Sequence, residues 1–242
     1  MSLFGHSYDT YPFEIFSLYH LVTLAVFLLI SILIYVYRTP LSKYEKTVRY
    51  TMFILLFGLE ALYHIWLFKG GVWDLSFTLP LQLCSISLLL CCVLLITNSK
   101  VLFQIVYFLG IAGALQALVT PELFLGFPHF RFIQFFLTHM LIIWVALFYV
   151  FVHKYKPTWR GLLQAFLFLN VAAAVAYLAN KLTLGNYMFL AQKPTNASLL
   201  DYLGPYPYYI LSLEAIAFTL FVMMFLPFWL RERMKMRQES YY

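Results

Sequence analysis

The chain of 242 residues is 63% hydrophobic and 11% charged, which leaves too few polar side chains to coat a water-facing surface of its size. A soluble enzyme on a single anchor is excluded, and the composition points to an all-α, multi-pass membrane protein in one domain, residues 1–242. The net charge of +6 is no nucleic-acid signature, because the basic residues fall in short connections between apolar runs.

Taken in order, the apolar runs predict seven transmembrane helices near 13–37, 48–68, 79–97, 101–119, 132–153, 161–182 and 207–230. Each is long enough for a hydrocarbon core of about 30 Å. Residues 1–12 hold no Lys or Arg and no small-residue cleavage site, so the first run reads as a retained span. Placing the N-terminus outside puts twelve of the Lys and Arg residues on the cytoplasmic side, among them Arg49, Lys100, Lys154 and Arg233. Four fall outside: Lys69, Arg131, Lys181 and Lys193. That asymmetry predicts an outer N-terminus, a cytoplasmic C-terminus and a place in the cell membrane. The connection 183–206 keeps Met188, Phe189 and Leu190 among its turn residues, so it reads as a folded-back, lid-like segment. Asn196-Ala197-Ser198 within it is a glycosylation sequon on the outer side.

With the helix directions assigned, polar residues gather in the outer half of the membrane. His20, Glu60, His64, Cys84, Gln116, His139 and Glu214 all fall roughly 6–12 Å below the outer end of their helices. Gln82 and Gln134 lie nearer the mouth, while Gln104, Gln164 and Asn170 occupy the inner half. Ionisable groups cost about 2.5–3.5 kcal/mol each at mid-helix, so such clustering points to a function or to a hydrogen-bonded packing layer. His6, His129 and His153 fall in loops or at edges and read as solvated.

Cysteine beside histidine is the first chemistry this set suggests. A thiol needs a neighbouring base to act as a nucleophile. His139 supplies one at the same height, with Glu60 or Glu214 to orient it and Gln82 and Gln116 as oxyanion donors. Gly110, Gly113 and Gln116 recur every third residue, a face that a neighbour can approach closely. Cys91 and Cys92 read as small core residues. A zinc site built on the Glu60–His64 pair is the second option. The third is a lipid- or small-molecule-binding or transport protein without catalysis. The preferred reading involves no metal and no cofactor.

Several segments carry a resemblance. They are Leu79–Cys84, Gly110–Ala117 running to Thr120-Pro121, Thr138-His139, Asn186–Pro194 and Gly204–Pro207. Together they resemble the YwaF family of bacterial integral membrane proteins. That family is similar to eukaryotic acyltransferases that place polyunsaturated acyl chains on ether phospholipids, for which a cysteine and a histidine are proposed as the catalytic pair. The resemblance implies Cys84 and His139 as that pair and membrane phospholipids as substrates, with no nucleic-acid partner and no particular oligomeric state. A transacylase acting through a Cys84 thioester is the expected function. Asn186, Tyr187, Lys193 and Gln134 are the expected substrate contacts.

Overall fold

A helix that is mostly apolar all round is buried all round, and Phe130–Phe151 (α7) shows this along most of its length. It holds no formal charge beyond Arg131, and it is buried almost continuously from Gln134 to Tyr149. The computed structural model describes residues 3–7, 10–194 and 199–239; the sequon at 196–198 lies outside them. Around α7 pack α1 (Leu18–Val36), α3 (Glu45–Lys69), α4 (Leu83–Thr97) and α6 (Ile111–Val119). The short α2 (Arg38–Lys43) links α1 to α3. α5 (Lys100–Ile105) runs into α6 through a π-helical turn, Val106–Gly110, so that Lys100–Val119 is one continuous span. α8 (Trp159–Thr183) and α9 (Tyr208–Glu239) complete the bundle.

Six helices among the described residues are long and apolar enough to cross a membrane, and Leu83–Thr97 is a shorter apolar helix beside them. Large apolar side chains face outward along the outer helices, among them Ile54, Leu167, Leu182 and Leu211. A water-soluble monomer does not expose such a surface. The chain is a multi-pass membrane protein.

Two of the expected spans begin later than their apolar runs. Residues 13–17 are not helical. Phe13 N–H donates to Phe124 O at 3.0 Å and Gly126 N–H to Tyr11 O at 2.6 Å, which ties this segment to the 120–129 loop. A Cβ on Gly126 would stand 2.7 Å from Pro12 O, so only glycine admits that approach. Residues 79–82 are also outside a helix. Pro80 disfavours the α region for Leu79; α4 starts at Leu83, and Cys84 sits in its first turn.

The other end of α4 is closed by an arginine that its position in the sequence marks only as a loop charge. Arg49 is 6% exposed. It donates to Leu95 O from Nε at 2.7 Å and from Nη2 at 2.5 Å, to Ile96 O at 3.0 Å, and to Glu45 Oε1 at 2.6 Å. A cation is well placed there, against the free carbonyls and the negative end of the helix dipole. The Tyr149 hydroxyl adds contacts to Leu94 O at 2.9 Å and Asn98 Oδ1 at 2.7 Å. His153, expected to be solvated, stacks on Tyr149 at 4.6 Å and lies 3.4 Å from the Glu45 carboxylate. Burial lowers its pKa, Glu45 opposes the shift and Arg49 adds to it.

Candidate functional site at the start of α4

The approach to Cys84 is built by two irregular segments that satisfy each other's backbone. The Tyr187 hydroxyl donates to Leu75 O at 2.6 Å and accepts from Leu79 N–H at 2.9 Å. Tyr187's own backbone is clamped by Asn180, which accepts its N–H at 2.6 Å and donates to its carbonyl at 3.0 Å. Gln82 Oε1 accepts from Met188 N–H at 2.9 Å. The residues after α3 turn on Asp74, whose carboxylate takes the Ser76 N–H at 2.8 Å and the Ser76 hydroxyl at 2.5 Å. Those bonds hold the Asp74 pKa below its usual range.

In the first turn of α4 the N–H groups of Leu83, Cys84 and Ser85 have no oxygen acceptor among the described residues, and Gln82 supplies no side-chain cap. Unsatisfied N–H groups and the positive end of a helix favour an anion at this point. Gly113 of α6 closes the back of this turn, where an added Cβ would meet Leu83 at 3.3 Å. Cys91 and Cys92 are buried in the apolar core one helical stretch further on.

α7 packs on α4, and one of its faces carries Arg131, Gln134, Phe135, Thr138 and His139 at helical spacing. His139 is 4% exposed, and its Nδ1–H donates to Phe135 O at 2.7 Å. That fixes the tautomer and leaves the Nε2 lone pair without a hydrogen-bond partner among the described residues. The ring lies 4.3 Å from that of Phe135. Gln134 is buried between Arg131, which donates to its Oε1, and Thr138. Arg131 stacks its guanidinium over Tyr63 at 4.4 Å and over Phe135 at 5.3 Å. α3 completes the wall. Trp73 Nε1–H donates to His64 Nδ1 at 3.3 Å, which directs His64 Nε2 toward Glu60 Oε1 at 3.5 Å. The charge of Glu60 acts on Cys84 and on Cys92, and that of Arg131 acts on Cys84, Glu60 and His139.

Around Arg131 gather Gln134, which it bonds, and Glu60, Cys84 and His139, which its charge reaches, with His64 against Glu60. No hydrogen bond joins Cys84 to His139 among the described residues, although their helices pack. Arg131 is the member that the sequence reading misses, since it counts there only as an outer loop charge. Its spacing of eight residues from His139 is the available signal.

The other expected members stand apart. His20 is fully buried, accepts from Phe16 N–H at 2.9 Å and donates to Leu118 O at 2.8 Å, so Nδ1 holds the turn before α1 and Nε2 joins α1 to α6. Gln116 is exposed, and its amide bonds Thr120 at the C-cap of its own helix. Glu214 accepts from Asn170 Nδ2 at 3.1 Å, which binds α9 to α8. Asn186 Oδ1 accepts from Ala191 and Gln192 N–H, both at 3.1 Å, and folds its own loop. Tyr187 is consumed as a staple. Lys193 Nζ donates to Asp201 O at 3.4 Å and lies 5.7 Å from the Tyr209 ring centroid. Gln82 keeps its amide N–H groups, but its carbonyl holds the 187–190 turn. His129, read as solvated, is 1% exposed and donates to Gly5 O at 2.9 Å. Among the described residues no cluster of three or more His, Cys, Asp or Glu side chains forms a metal cradle, so Glu60 and His64 gain no further ligand there.

A family model described as the TMEM164 family matches residues 15–225. That stretch contains every residue of the cluster. Neither the curated proteins nor the solved structures give a match.

Proposed function

The chain belongs to the TMEM164 family, and from that premise we propose that it is an intramembrane acyltransferase whose nucleophile is Cys84 and whose base is His139. The observation that carries this reading is the pairing of two features across α4 and α7. Cys84 occupies an uncapped helix start, and His139 is pinned through Nδ1 so that Nε2 is free to take a proton. The resemblance to the YwaF family and its acyltransferase relatives supports the same assignment.

The sulfhydryl proton passes to His139 Nε2 while the sulfur bonds the carbonyl carbon of a lipid ester. A rotation of Cys84 or one bridging water closes the distance between them, as catalytic contacts commonly tighten only once substrate is bound. The oxyanion that forms takes N–H donors from the first turn of α4, in place of Gln116. Collapse breaks the ester C–O bond, the departing lipid oxygen takes the proton back from His139, and the acyl group remains on Cys84 as a thioester. The hydroxyl of a second lipid then gives its proton to Nε2 and attacks the thioester carbonyl. The C–S bond breaks and the sulfur regains the proton. Water in place of that hydroxyl gives a free fatty acid.

On the loop charges this end of the bundle faces outward, which keeps cytosolic acyl-CoA away and makes a membrane lipid the donor. The test is incubation of the purified protein with acyl-labelled phospholipid, wild type beside Cys84→Ala. A hydroxylamine-labile label on the wild type alone, with acyl exchange between lipids, supports the enzyme. The absence of both leaves a lipid-binding protein as the better reading.

A further inference from the structure

Arg131 is a charged side chain turned into the bundle at the second position of α7. Its guanidinium rests on Tyr63 and Phe135 and bonds Gln134, yet it makes no ion pair among the described residues. Glu60, whose charge reaches it, is held against His64 at 3.5 Å. A cation at a helix N-terminus also stands at the unfavourable end of the dipole. One contact to a neutral amide uses few of the five guanidinium donors, and these match a phosphate in a planar fork. The two aromatic faces and the buried Gln134 hold the group in place, and its charge reaches Cys84 and His139.

We infer that Arg131 is the binding residue for the phosphate of a lipid headgroup, seating the donor so that its acyl ester reaches Cys84. This rests on the acyltransferase reading with membrane phospholipids as substrates, and adds to it the residue that selects a glycerophospholipid over a neutral glyceride. In a phospholipid the glycerol ester lies a few bonds from the phosphate, so one anchored phosphate limits which ester can reach the sulfur.

The experiment loads the purified full-length protein with acyl-labelled phosphatidylcholine or, separately, acyl-labelled diacylglycerol, and reads the hydroxylamine-labile label. For Arg131→Ala the expected result is a fall of about tenfold or more with phosphatidylcholine, the range for hydrogen bonds to a charged group. Labelling from diacylglycerol stays within about twofold, and Arg131→Lys keeps part of the phosphatidylcholine signal. An equal fall with both donors, or none with either, overturns the assignment. Should the wild type form no thioester at all, the acyltransferase reading fails, and lipid retained through purification decides the matter by native mass spectrometry. Phosphatidylcholine lost from Arg131→Ala but kept by Cys84→Ala supports the site, and equal retention overturns it. Displacement of that lipid by inorganic phosphate would make a free anion the occupant and overturn the headgroup assignment; retention against phosphate supports it.

Discussion

His139 donates from Nδ1 to the carbonyl of Phe135, four residues earlier on the same helix, at 2.7 Å. The bond is local, so the orientation of the imidazole is set by α7 alone and survives changes elsewhere in the cluster. His139→Asn preserves a donor near that carbonyl and removes the distal nitrogen. We expect this variant to keep the wild-type melting temperature within a few degrees while thioester formation falls by about 10²-fold or more, the usual contribution of a positioned base. Labelling kinetics beside a thermal melt separate the two effects.

Arg49 caps the far end of α4 and is nearly inaccessible. Arg49→Ala leaves the Leu95 and Ile96 carbonyls and the Glu45 carboxylate without their partner. Each orphaned buried group costs about 1–3 kcal/mol, so a marked drop in melting temperature is expected in detergent. Arg49→Lys restores one point charge without the fork and recovers only part of it.

Gly161 and Gln104 form a lock between α8 and α5. A Cβ at Gly161 would stand 1.9 Å from Gln104 Oε1, and that oxygen accepts from Thr158 N–H at 2.9 Å while the amide donates to Lys156 O at 2.9 Å. Gly161→Ala expels Gln104 and frees both backbone groups. The double variant Gly161→Ala with Gln104→Ala is expected to be no less stable than Gly161→Ala alone, since the clash is gone. Urea or thermal unfolding of Gly161→Ala, Gln104→Ala and the double variant tests this coupling.

His129 gives a pH dependence with a definite sign. Burial lowers its pKa in the folded protein, with His6 and Arg131 acting the same way and its bond to Gly5 opposing them. The unfolded chain therefore takes up the proton first, and stability falls as pH drops through about 6.5 toward the folded value. Asparagine also caps helices well, so His129→Asn is expected to keep stability at neutral pH and to flatten the decline below it. Melting curves between pH 8 and pH 5, run on both proteins, provide the check.

Much of this architecture is legible from the chain because an uninterrupted apolar run has few other places to go. The run from Phe132 to Phe151 and that from Gly161 to Leu182 both become helices. Hydrophobicity says less about where a helix starts. Leu79 and Leu81 are as apolar as their neighbours, yet both lie outside α4, and Pro80 disfavours the helical region for Leu79. Depth along a span also fails to tell direction. His20, Gln116 and Cys84 fall within one layer, but only rotation about each helix axis decides that His20 meets Leu118 and Gln116 meets Thr120. Arg131 is hidden for a related reason. A loop-charge count records on which side of the membrane a residue lies and not whether it points inward.

The fifteen residues of α4 span about 22 Å, less than a hydrocarbon core of about 30 Å. The peptide groups of 79–82 then lie where water is scarce and where unpaired backbone is tolerated only inside protein. This explains why Tyr187, Asn180 and Gln82 act as a seal made of side chains. Such a region has the connectivity of a loop and the intolerance of an interior. A one-residue insertion between Gly71 and Gln82, where a surface connection would absorb it, shifts every donor past its acceptor. Homologues should vary freely in the length of their other connections and hardly at all in this one.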